Sequence, residues 1–268
     1  MSVREPAITS TANPRVKAVA RLRDRREREE TGLTIIDGPR ELLRALEARV
    51  EVSEAFVCEE LVRSAEAEEA VARLRATGAP VVDVSEAVLG RLAFGDRTDG
   101  VVAIVRAATT TLADLSLPRE PLLVVVEAVE KPGNLGAILR TADGAGVDAL
   151  IAADPRTDLF NPGAIRASLG TIFSRPVVSA TTVETLDWLT ARAIRPIAAR
   201  VDAPTTWDAV DLRGPVAIVV GSEAGGLSPA WDDPRVTPVR IPMRGAADSL
   251  NVSVAAAILL YEAVRQRS

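Results

Sequence analysis

The chain has 268 residues, of which 47% are hydrophobic, and its formal net charge at pH 7 is −5. This length and composition predict one large or two small domains with a proper apolar core. The sequence contains no histidine, which excludes Ser-His-Asp and Cys-His catalysis and most zinc sites, and we expect no bound metal. A single cysteine excludes an internal disulfide, and no apolar run reaches the length of a membrane span, so we expect a cytoplasmic protein.

Positive charge is concentrated near the start of the sequence. Residues 11–28 carry seven basic and two acidic side chains, a net charge of +5, whereas residues 29–268 carry −10. Asn13-Pro14 predicts the start of a helix that runs to about residue 28, because proline is favoured in a first helical turn. A basic helix on an acidic protein favours contact with RNA or DNA, and a solvated helix with internal ion pairs is the alternative interpretation. The candidate nucleic-acid contacts in this helix are Arg15, Lys17, Arg21, Arg25 and Arg28.

Residues 1–106 are predicted to form a small α/β domain, because short apolar strands alternate with helical segments. The expected strands are 33–36, 55–58, 81–84 and 100–106, and the expected helices after the first are 40–48, 65–77 and 85–92. Residues 107–121 are rich in threonine and contain two prolines, so we interpret them as a linker between domains.

Residues 122–268 are predicted to form a second α/β domain. Its first strand, 122–128, is continuously apolar, as expected of a strand that is buried on both faces. The alternation of strands and helices predicts a mostly parallel sheet with helices on both faces. The further expected strands are 149–153, 177–179, 195–199, 216–220 and 236–241, and the expected helices are 134–145, 164–172, 183–193 and a final helix from residue 252.

Three loops that follow strands of this domain carry glycine and polar side chains. They are Glu130–Gly136, Gly221–Gly226 and the segment from Ile241 to Asn251. The loops at the carboxyl ends of parallel strands meet at one edge of a sheet, so we expect these three to converge on a ligand. The side chains that could carry chemistry there are Asn134, Arg140, Glu223, Ser249 and Asn251.

Local roles are also predicted for some of these residues. Asn134 and Ser249 are expected to cap the helices that follow them, and Glu223 is a candidate buried carboxylate. Ordinary turns are the alternative interpretation of the glycine-rich loops. A dinucleotide site is a further alternative, but it requires G-x-G-x-x-G, and the first loop has glycine only at 133 and 136; Asp154 lies about where a ribose-binding acid is expected.

The sequence resembles a known family in several stretches. EKPGNLGAILRTADGAGVDALI, IVVGSEAGGLSP and IPMRGAADSLNVSVAAAILLYEAVRQR are similar, in this order and spacing, to the three motifs of the SpoU (TrmH) RNA 2′-O-ribose methyltransferases of the SPOUT superfamily. Arg166-Ala167-Ser168-Leu169-Gly170 also resembles the family, and Arg166 joins the candidate RNA contacts. The first domain is similar to the family's substrate-binding domain, which is related to kink-turn-binding ribosomal proteins.

The resemblance implies a fold, a cofactor and a set of site residues. It implies a deep trefoil knot in the second domain, S-adenosylmethionine as cofactor, and a homodimer that packs partly through the knot region. By motif, the cofactor is expected to contact Gly221, Ile241 and Leu250, largely through backbone groups. The five polar side chains named above are the family's functional residues, and all five positions hold the residue expected.

The implied reaction is methylation of a ribose 2′-hydroxyl of RNA, with rRNA favoured over tRNA by the two-domain layout. The family mechanism assigns hydroxyl activation to Arg140. Because arginine stays protonated, we assign it instead to the nucleotide phosphate and the developing alkoxide. The alternatives are a tRNA 2′-O-methyltransferase, an RNA-binding or assembly factor that keeps the cofactor site without turnover, and a nucleotide-binding oxidoreductase.

Overall fold

The computed structural model describes residues 7–94, 99–107, 110–222 and 225–268. These residues form two compact units. The first contains the N-terminal part of the chain together with Phe160–Ser174, and the second contains the remaining residues. Within the described ranges, no helix is both long enough and apolar enough to cross a membrane.

The helices and strands of the described residues are numbered in chain order. The strands are β1 (Leu33–Ile36), β2 (Val52–Val57), β3 (Val81–Asp83), β4 (Val101–Arg106), β5 (Leu122–Glu127), β6 (Ala149–Ala153), β7 (Val177–Ala180), β8 (Arg195–Ala199), β9 (Thr205–Thr206), β10 (Val216–Val220) and β11 (Thr237–Arg240). The α-helices are α1 (Pro14–Arg21), α2 (Arg25–Thr31), α3 (Pro39–Glu47), α4 (Ala65–Ala76), α5 (Glu86–Leu92), α6 (Pro132–Gly144), α7 (Pro162–Ala167), α8 (Thr182–Ala191) and α9 (Val252–Arg267).

The first unit is built on a mixed four-stranded sheet with the strand order β1-β4-β2-β3. β4 pairs antiparallel with both β1 and β2, and β2 pairs parallel with β3. Fully buried side chains such as Ile35, Phe56 and Ile104 form its core with Val16 and Leu89 from the helices. The predicted α/β character of this part of the chain is therefore confirmed.

The single basic helix predicted for residues 14–28 is wrong, because the chain forms two helices there. Asn13 caps α1 as expected, but the chain leaves α1 at Leu22, which is 4% exposed and belongs to the core. Asp24 then caps α2, with its side chain accepting the Arg26 backbone N–H. An acidic cap followed three residues later by Glu27 resembles a capping box and is the sequence signal for this second start.

Phe160–Ser174 belongs to the first unit although the surrounding sequence belongs to the second. The Thr34 hydroxyl donates to the Phe160 carbonyl at 2.7 Å, which places the segment against β1. Gly170 has φ +80°, and a Cβ at this position would lie only 2.8 Å from the Glu41 backbone. These contacts join residues more than a hundred positions apart, so a boundary drawn from the sequence at 107–121 did not anticipate them.

The second unit is built on a seven-stranded sheet with the order β7-β6-β5-β10-β8-β11-β9, and all its described strand pairs are parallel. This confirms the predicted parallel sheet, to which the structure adds the short edge strand β9. The central strands are buried along their whole length because α-helices pack on the sheet. The trefoil knot implied by the family resemblance stays a prediction.

The final helix α9 packs against α6 and against the central strands β10 and β5. Leu259, Leu260 and Ala263 are fully buried. The opposite face keeps two large apolar side chains in solvent, Val254 at 45% and Tyr261 at 53% exposure. α9 is therefore a core helix with an additional apolar outer face.

Candidate cofactor and catalytic site

The site lies at the carboxyl edge of the parallel sheet, where β5, β10 and β11 end. The loop after β5 leads into α6, the glycine-rich loop follows β10, and a longer loop connects β11 to α9. These are the three loops that the sequence singled out, and the parallel pairing of the strands puts them at one edge.

A cavity of about 380 Å³ lies between the glycine-rich loop and the loop that connects β11 to α9. The three predicted cofactor contacts, Gly221, Ile241 and Leu250, all line it, and so does the predicted catalytic residue Ser249. Additional walls come from the end of β8 and from the first turns of α9. A second, narrow cavity next to it is lined by residues that include Asn134, Gly221 and Val252.

The described residues of the glycine-rich loop, on either side of positions 223 and 224, are joined by hydrogen bonds. Ser222 and Gly226 exchange two backbone hydrogen bonds of 3.0 Å, and the Ser222 hydroxyl accepts the Gly225 N–H at 3.1 Å. A Cβ on Gly221 would overlap the backbone carbonyl of Gly226, so only glycine fits there. Gly221, Gly225 and Gly226 line the cavity, so its wall carries no side chains at these three positions.

Two predicted catalytic residues contact each other directly. The Asn251 side-chain amide donates to the Asn134 side-chain oxygen at 3.3 Å. The Asn251 oxygen accepts the backbone N–H and the hydroxyl of Ser253, at 2.9 and 2.6 Å. Asn251 therefore caps α9 and also links it to the first turn of α6.

The predicted capping roles are corrected by this geometry. Asn251 caps α9 in place of Ser249, because the helix begins only at Val252 and Ser249 lies too far upstream. Asn134 does not cap α6, since the helix begins with Pro132 and follows Lys131, which places Asn134 inside the first turn. Both side chains that were expected to cap helices are therefore available to the site.

The remaining candidate residues have different settings. Arg140 lies on the outer surface of α6, exposed, and without a hydrogen bond or ion pair to any residue that the structure describes. Glu223 lies outside the described residues. Asp154 is explained structurally: its carboxylate accepts the Thr182 backbone N–H at 2.9 Å, which ties β6 to the start of α8 and leaves the predicted ribose-binding role without support.

The cavity carries charge that the sequence analysis missed. Arg200, directly after β8, lines it and forms ion pairs with Asp202 at 3.2 Å and with Asp232. Its hydrogen bond to Asp202 raises the pKa of Arg200 further, and the same bond lowers the pKa of Asp202. Asp248 lines the cavity from the β11–α9 loop. The rule that strand ends form the site would have identified Arg200, since it follows a parallel strand.

The predicted RNA contacts in the first unit divide into exposed and buried side chains. Lys17 is exposed and has no ionic partner among the described residues, whereas Arg21 and Arg25 pair with Glu27 at 3.3 Å and Glu29 at 2.6 Å. Internal ion pairs, the alternative interpretation, are therefore present along these helices.

Two of the arginines are held by contacts within the unit, one half-buried and one buried. Arg15 binds Glu54 at 2.7 Å and lies over the Phe56 ring. Arg28 is only 5% exposed and donates to the Leu22 carbonyl at 2.7 Å, which closes the corner between α1 and α2. A buried side chain with this role does not suit the predicted RNA contact at Arg28.

Arg166 is also largely enclosed. Its guanidinium donates to the Phe94 carbonyl at 2.6 Å and lies 3.5 Å from the buried carboxylate of Asp37. Asp37 in turn accepts the Phe94 backbone N–H at 2.7 Å. Arg166 therefore holds α7 within the first unit, and the RNA contact at this residue stays a prediction.

Two known protein families have models that match this chain. Residues 121–261 match the model of the SpoU rRNA methylase family, and residues 13–103 match the MRM3-like substrate-binding domain. The first match covers more than half of the chain and includes all three loops of the site. The chain belongs to the SpoU rRNA methylase family.

Similar proteins extend over nearly the whole chain. The 23S rRNA (guanosine(2553)-2′-O)-methyltransferase RlmP of Bacillus subtilis (strain 168) is 30% identical over 95% of this chain and 97% of its own. A crystal structure of an RNA 2′-O ribose methyltransferase is 43% identical, with a TM-score of 0.86 over 97% of this chain and 99% of that one. An AdoMet-bound rRNA methyltransferase from Sinorhizobium meliloti is 29% identical, with a TM-score of 0.88 over 97% of both chains.

Proposed function

We propose that this protein transfers a methyl group from S-adenosylmethionine to a ribose 2′-hydroxyl of rRNA. The observation that carries the proposal is the cavity at the carboxyl edge of the sheet, which is lined by Gly221, Ile241 and Leu250. The proposal is supported by the family membership and by the similar rRNA methyltransferase whose structure contains the same cofactor. S-adenosylmethionine supplies an activated methyl group on a sulfonium, so the chain itself needs only to bind, orient and manage one proton.

The cavity fits such a cofactor. Its volume of about 380 Å³ lies within the usual range for small-molecule sites. The absence of a Cβ at Gly221 allows the Gly226 backbone to pack directly against it, and both residues line the cavity. Backbone groups near Ile241 and Leu250 can supply further polar contacts. The side chains of Asp248 and Arg200 can pair with the ammonium and the carboxylate of the cofactor's methionine part.

The polar side chains are assigned to the nucleotide. Asn134 and Asn251, held together at 3.3 Å, form a fixed polar pair next to the cavity. Ser249 lines the cavity itself and can hydrogen-bond a ribose hydroxyl. Arg140 is exposed and bonded to none of the described residues, so its guanidinium can hold a phosphate and stabilise the hydroxyl as it loses its proton. Glu223 keeps its place among the functional residues that the resemblance implies.

An rRNA substrate is favoured over a tRNA substrate by the extent of the similarity. The match to the rRNA enzyme of Bacillus subtilis includes the first unit as well as the second, and the first unit matches a substrate-binding domain. We therefore assign RNA delivery to the domain of residues 1–106 and catalysis to residues 122–268, in a cytoplasmic protein.

A homodimer is also proposed. The outer face of α9 exposes Val254 and Tyr261, an apolar surface next to the packed α6. A second copy of the chain would cover it. Light scattering at micromolar concentration should give twice the mass of one chain, and a monomeric mass would contradict the proposal.

The test of the function is a methylation assay with the purified protein, labelled S-adenosylmethionine, and rRNA or tRNA transcripts. We expect methylation of rRNA at one nucleotide, whose 3′ bond then resists alkaline cleavage because the 2′-hydroxyl is blocked. Label on a base, or transfer to tRNA alone, would overturn the proposal. Tight binding of cofactor and rRNA without turnover would favour the RNA-binding factor.

A further inference from the structure

A buried carboxylate at the end of the central strand β5 takes no part in the assignments above. Glu127 is 3% exposed and is the last residue of β5. Its Oε1 accepts the hydroxyls of Thr182 at 2.8 Å and of Ser228 at 2.7 Å. Its Oε2 accepts the backbone N–H of Ser228 at 2.7 Å. Three donors thus converge on one carboxylate, an arrangement that suits an acceptor-only group.

Ser228 makes two of the three hydrogen bonds to Glu127 and lies just after the glycine-rich loop. Ser228 lies two residues after Gly226, and the loop before it forms one wall of the cofactor cavity. At its other end the loop follows directly from β10, which pairs with β5. Between these ends Ser222 and Gly226 are joined by two backbone hydrogen bonds. Glu127 is therefore the side chain through which β5 fixes the far end of the cavity wall.

We infer that Glu127 is a positioning residue for cofactor binding, acting through Ser228 on the glycine-rich loop. Glu127 itself does not line either cavity of the site. Side chains alternate along a strand, so its neighbour Val126 faces the second cavity while Glu127 points to the other side of the sheet. Its effect on the cofactor must therefore pass through the loop that it holds.

The charge of the side chain is essential to this role. Glutamine has almost the same shape, but it offers one acceptor oxygen and an amide that donates. In Glu127→Gln the side-chain oxygen can still accept the Ser228 N–H, but the amide then faces the two hydroxyls, which must turn to accept from it and lose Glu127 as the acceptor of their own protons. A buried donor without an acceptor is costly, and the loop can relieve this cost by moving away.

The experiment measures binding of S-adenosylhomocysteine by calorimetry, well below the unfolding temperature, together with the KM values for S-adenosylmethionine and RNA. Glu127→Gln should raise the dissociation constant about tenfold, the scale of one lost charge-assisted hydrogen bond. The KM for S-adenosylmethionine should rise with it, while RNA affinity stays the same. Ser228→Ala should give a smaller rise, because the backbone N–H of residue 228 keeps its bond to Glu127.

Glu262→Gln is the matched control, because it makes the same change in another buried glutamate of the second unit. Glu262 is 6% exposed and accepts hydrogen bonds from Arg265 and Gln266, near the end of α9 and away from the lining of the cavity. It should lower the unfolding temperature without changing the dissociation constant. Equal weakening of cofactor binding by Glu127→Gln and Glu262→Gln would show a general loss of stability and overturn the inference.

The inference rests on the proposed function, and the two can fail separately. If the wild-type protein does not bind S-adenosylhomocysteine, the proposed function is refuted. A wild-type protein that binds it, with unchanged affinity in Glu127→Gln and Ser228→Ala, would remove only the role of Glu127. If Glu127→Gln does not fold, Ser228→Ala still tests the link, since it must then weaken binding more than Glu262→Gln does.

Discussion

Asn251 donates a side-chain hydrogen bond of 3.3 Å to Asn134, although 117 positions separate the two residues in the chain. Each lies in or next to the first turn of a helix, Asn134 in α6 and Asn251 at the cap of α9. α6 and α9 pack against each other, so their first turns are held at the same edge of the sheet. The pair connects the loop after β5 with the loop after β11. This hydrogen bond therefore holds two of the three loops of the site together.

The two functions of Asn251 can be separated by substitution. Asn251→Asp supplies a carboxylate that can still accept the Ser253 N–H and cap α9, but it removes the amide that donates to Asn134. We expect single-turnover methylation to fall about 10²-fold, the lower end for one lost catalytic hydrogen bond, while the unfolding temperature stays near that of the wild type. Asn251→Ala is the comparison, since it should also cost about 1 kcal/mol of stability through loss of the cap. Unchanged turnover in Asn251→Asp would show that the amide is only a cap.

Arg140 is expected to act on the rate and not on cofactor binding. An exposed guanidinium that holds the phosphate and the developing alkoxide interacts most strongly in the transition state. Arg140→Ala should therefore lower single-turnover methylation by roughly 10²-fold, the scale of one lost electrostatic stabiliser. Calorimetry should show unchanged affinity for S-adenosylhomocysteine. Arg140→Lys should restore little, because lysine lacks the planar fork that binds two oxygens. A near-normal rate in Arg140→Ala would contradict the assignment.

Gly221→Ala tests the glycine-rich wall. The added methyl group would overlap the Gly226 carbonyl, so the loop must open and the cavity must change shape. We expect the affinity for S-adenosylhomocysteine to fall by about tenfold or more, in line with 1.4 kcal/mol for each factor of ten. Gly90→Ala is the matched control: it lies in α5 with open space around it, and alanine there should stabilise the helix by about 0.5–1 kcal/mol. Equal effects of the two substitutions on binding would refute this explanation.

The exposed basic side chains of α1 and α2 are expected to affect RNA binding, whereas the buried one is expected to affect stability. Lys17→Glu and Arg21→Glu change exposed side chains, so they should weaken RNA binding and lower the slope of log affinity against log salt by roughly 1 for each phosphate that is no longer neutralised. Arg73→Glu makes the same charge change on α4 and should have little effect if RNA binds only at the basic helices.

Arg28→Ala should instead lower the unfolding temperature, because its side chain is buried in the α1–α2 corner. Filter binding at several salt concentrations measures the first effect and thermal unfolding the second.

The carboxylate of Glu262 is expected to make the stability of the folded protein depend on pH in acid. Hydrogen bonds from Arg265, and next from Gln266, lower the pKa of Glu262 to about 2 from its ordinary value of 4.5. The folded protein therefore holds this proton more weakly than the unfolded chain does. Its contribution to stability is complete above about pH 5 and is lost as the pH falls towards 2. The difference in unfolding temperature between the wild type and Glu262→Gln should shrink between pH 5 and pH 2.5, and a constant difference would exclude this linkage.

The sequence predicted the strands of the second unit closely, and β6, β8 and β10 agree residue for residue. Continuous apolar strands and glycine-rich loops are strong local signals, and they are enough to infer the parallel sheet and the edge that carries the site. Helix ends were less well predicted. Asn134 and Ser249 have the chemistry of caps, but Pro132 and Asn251 decide where α6 and α9 begin.

Other features depend on contacts between distant parts of the chain. Arg28 and Arg166 look like surface cations in the sequence, yet the packed structure encloses both. The corner at Leu22 buries the first, and the Asp37 carboxylate attracts the second. Composition and charge runs do not reveal burial, because burial depends on which elements pack together.

By itself, the sequence determined the class of fold and the three loops of the site, because strand and loop patterns are local and the carboxyl ends of parallel strands must share an edge of the sheet. Only the tertiary structure decided that Phe160–Ser174 packs with the first unit, that Asn134 meets Asn251, and that Glu127 holds Ser228. Each of these depends on side chains brought together from positions a hundred or more residues apart. Hydrogen bonds of that kind leave no periodic pattern in the sequence, since their geometry exists only once the sheet has assembled.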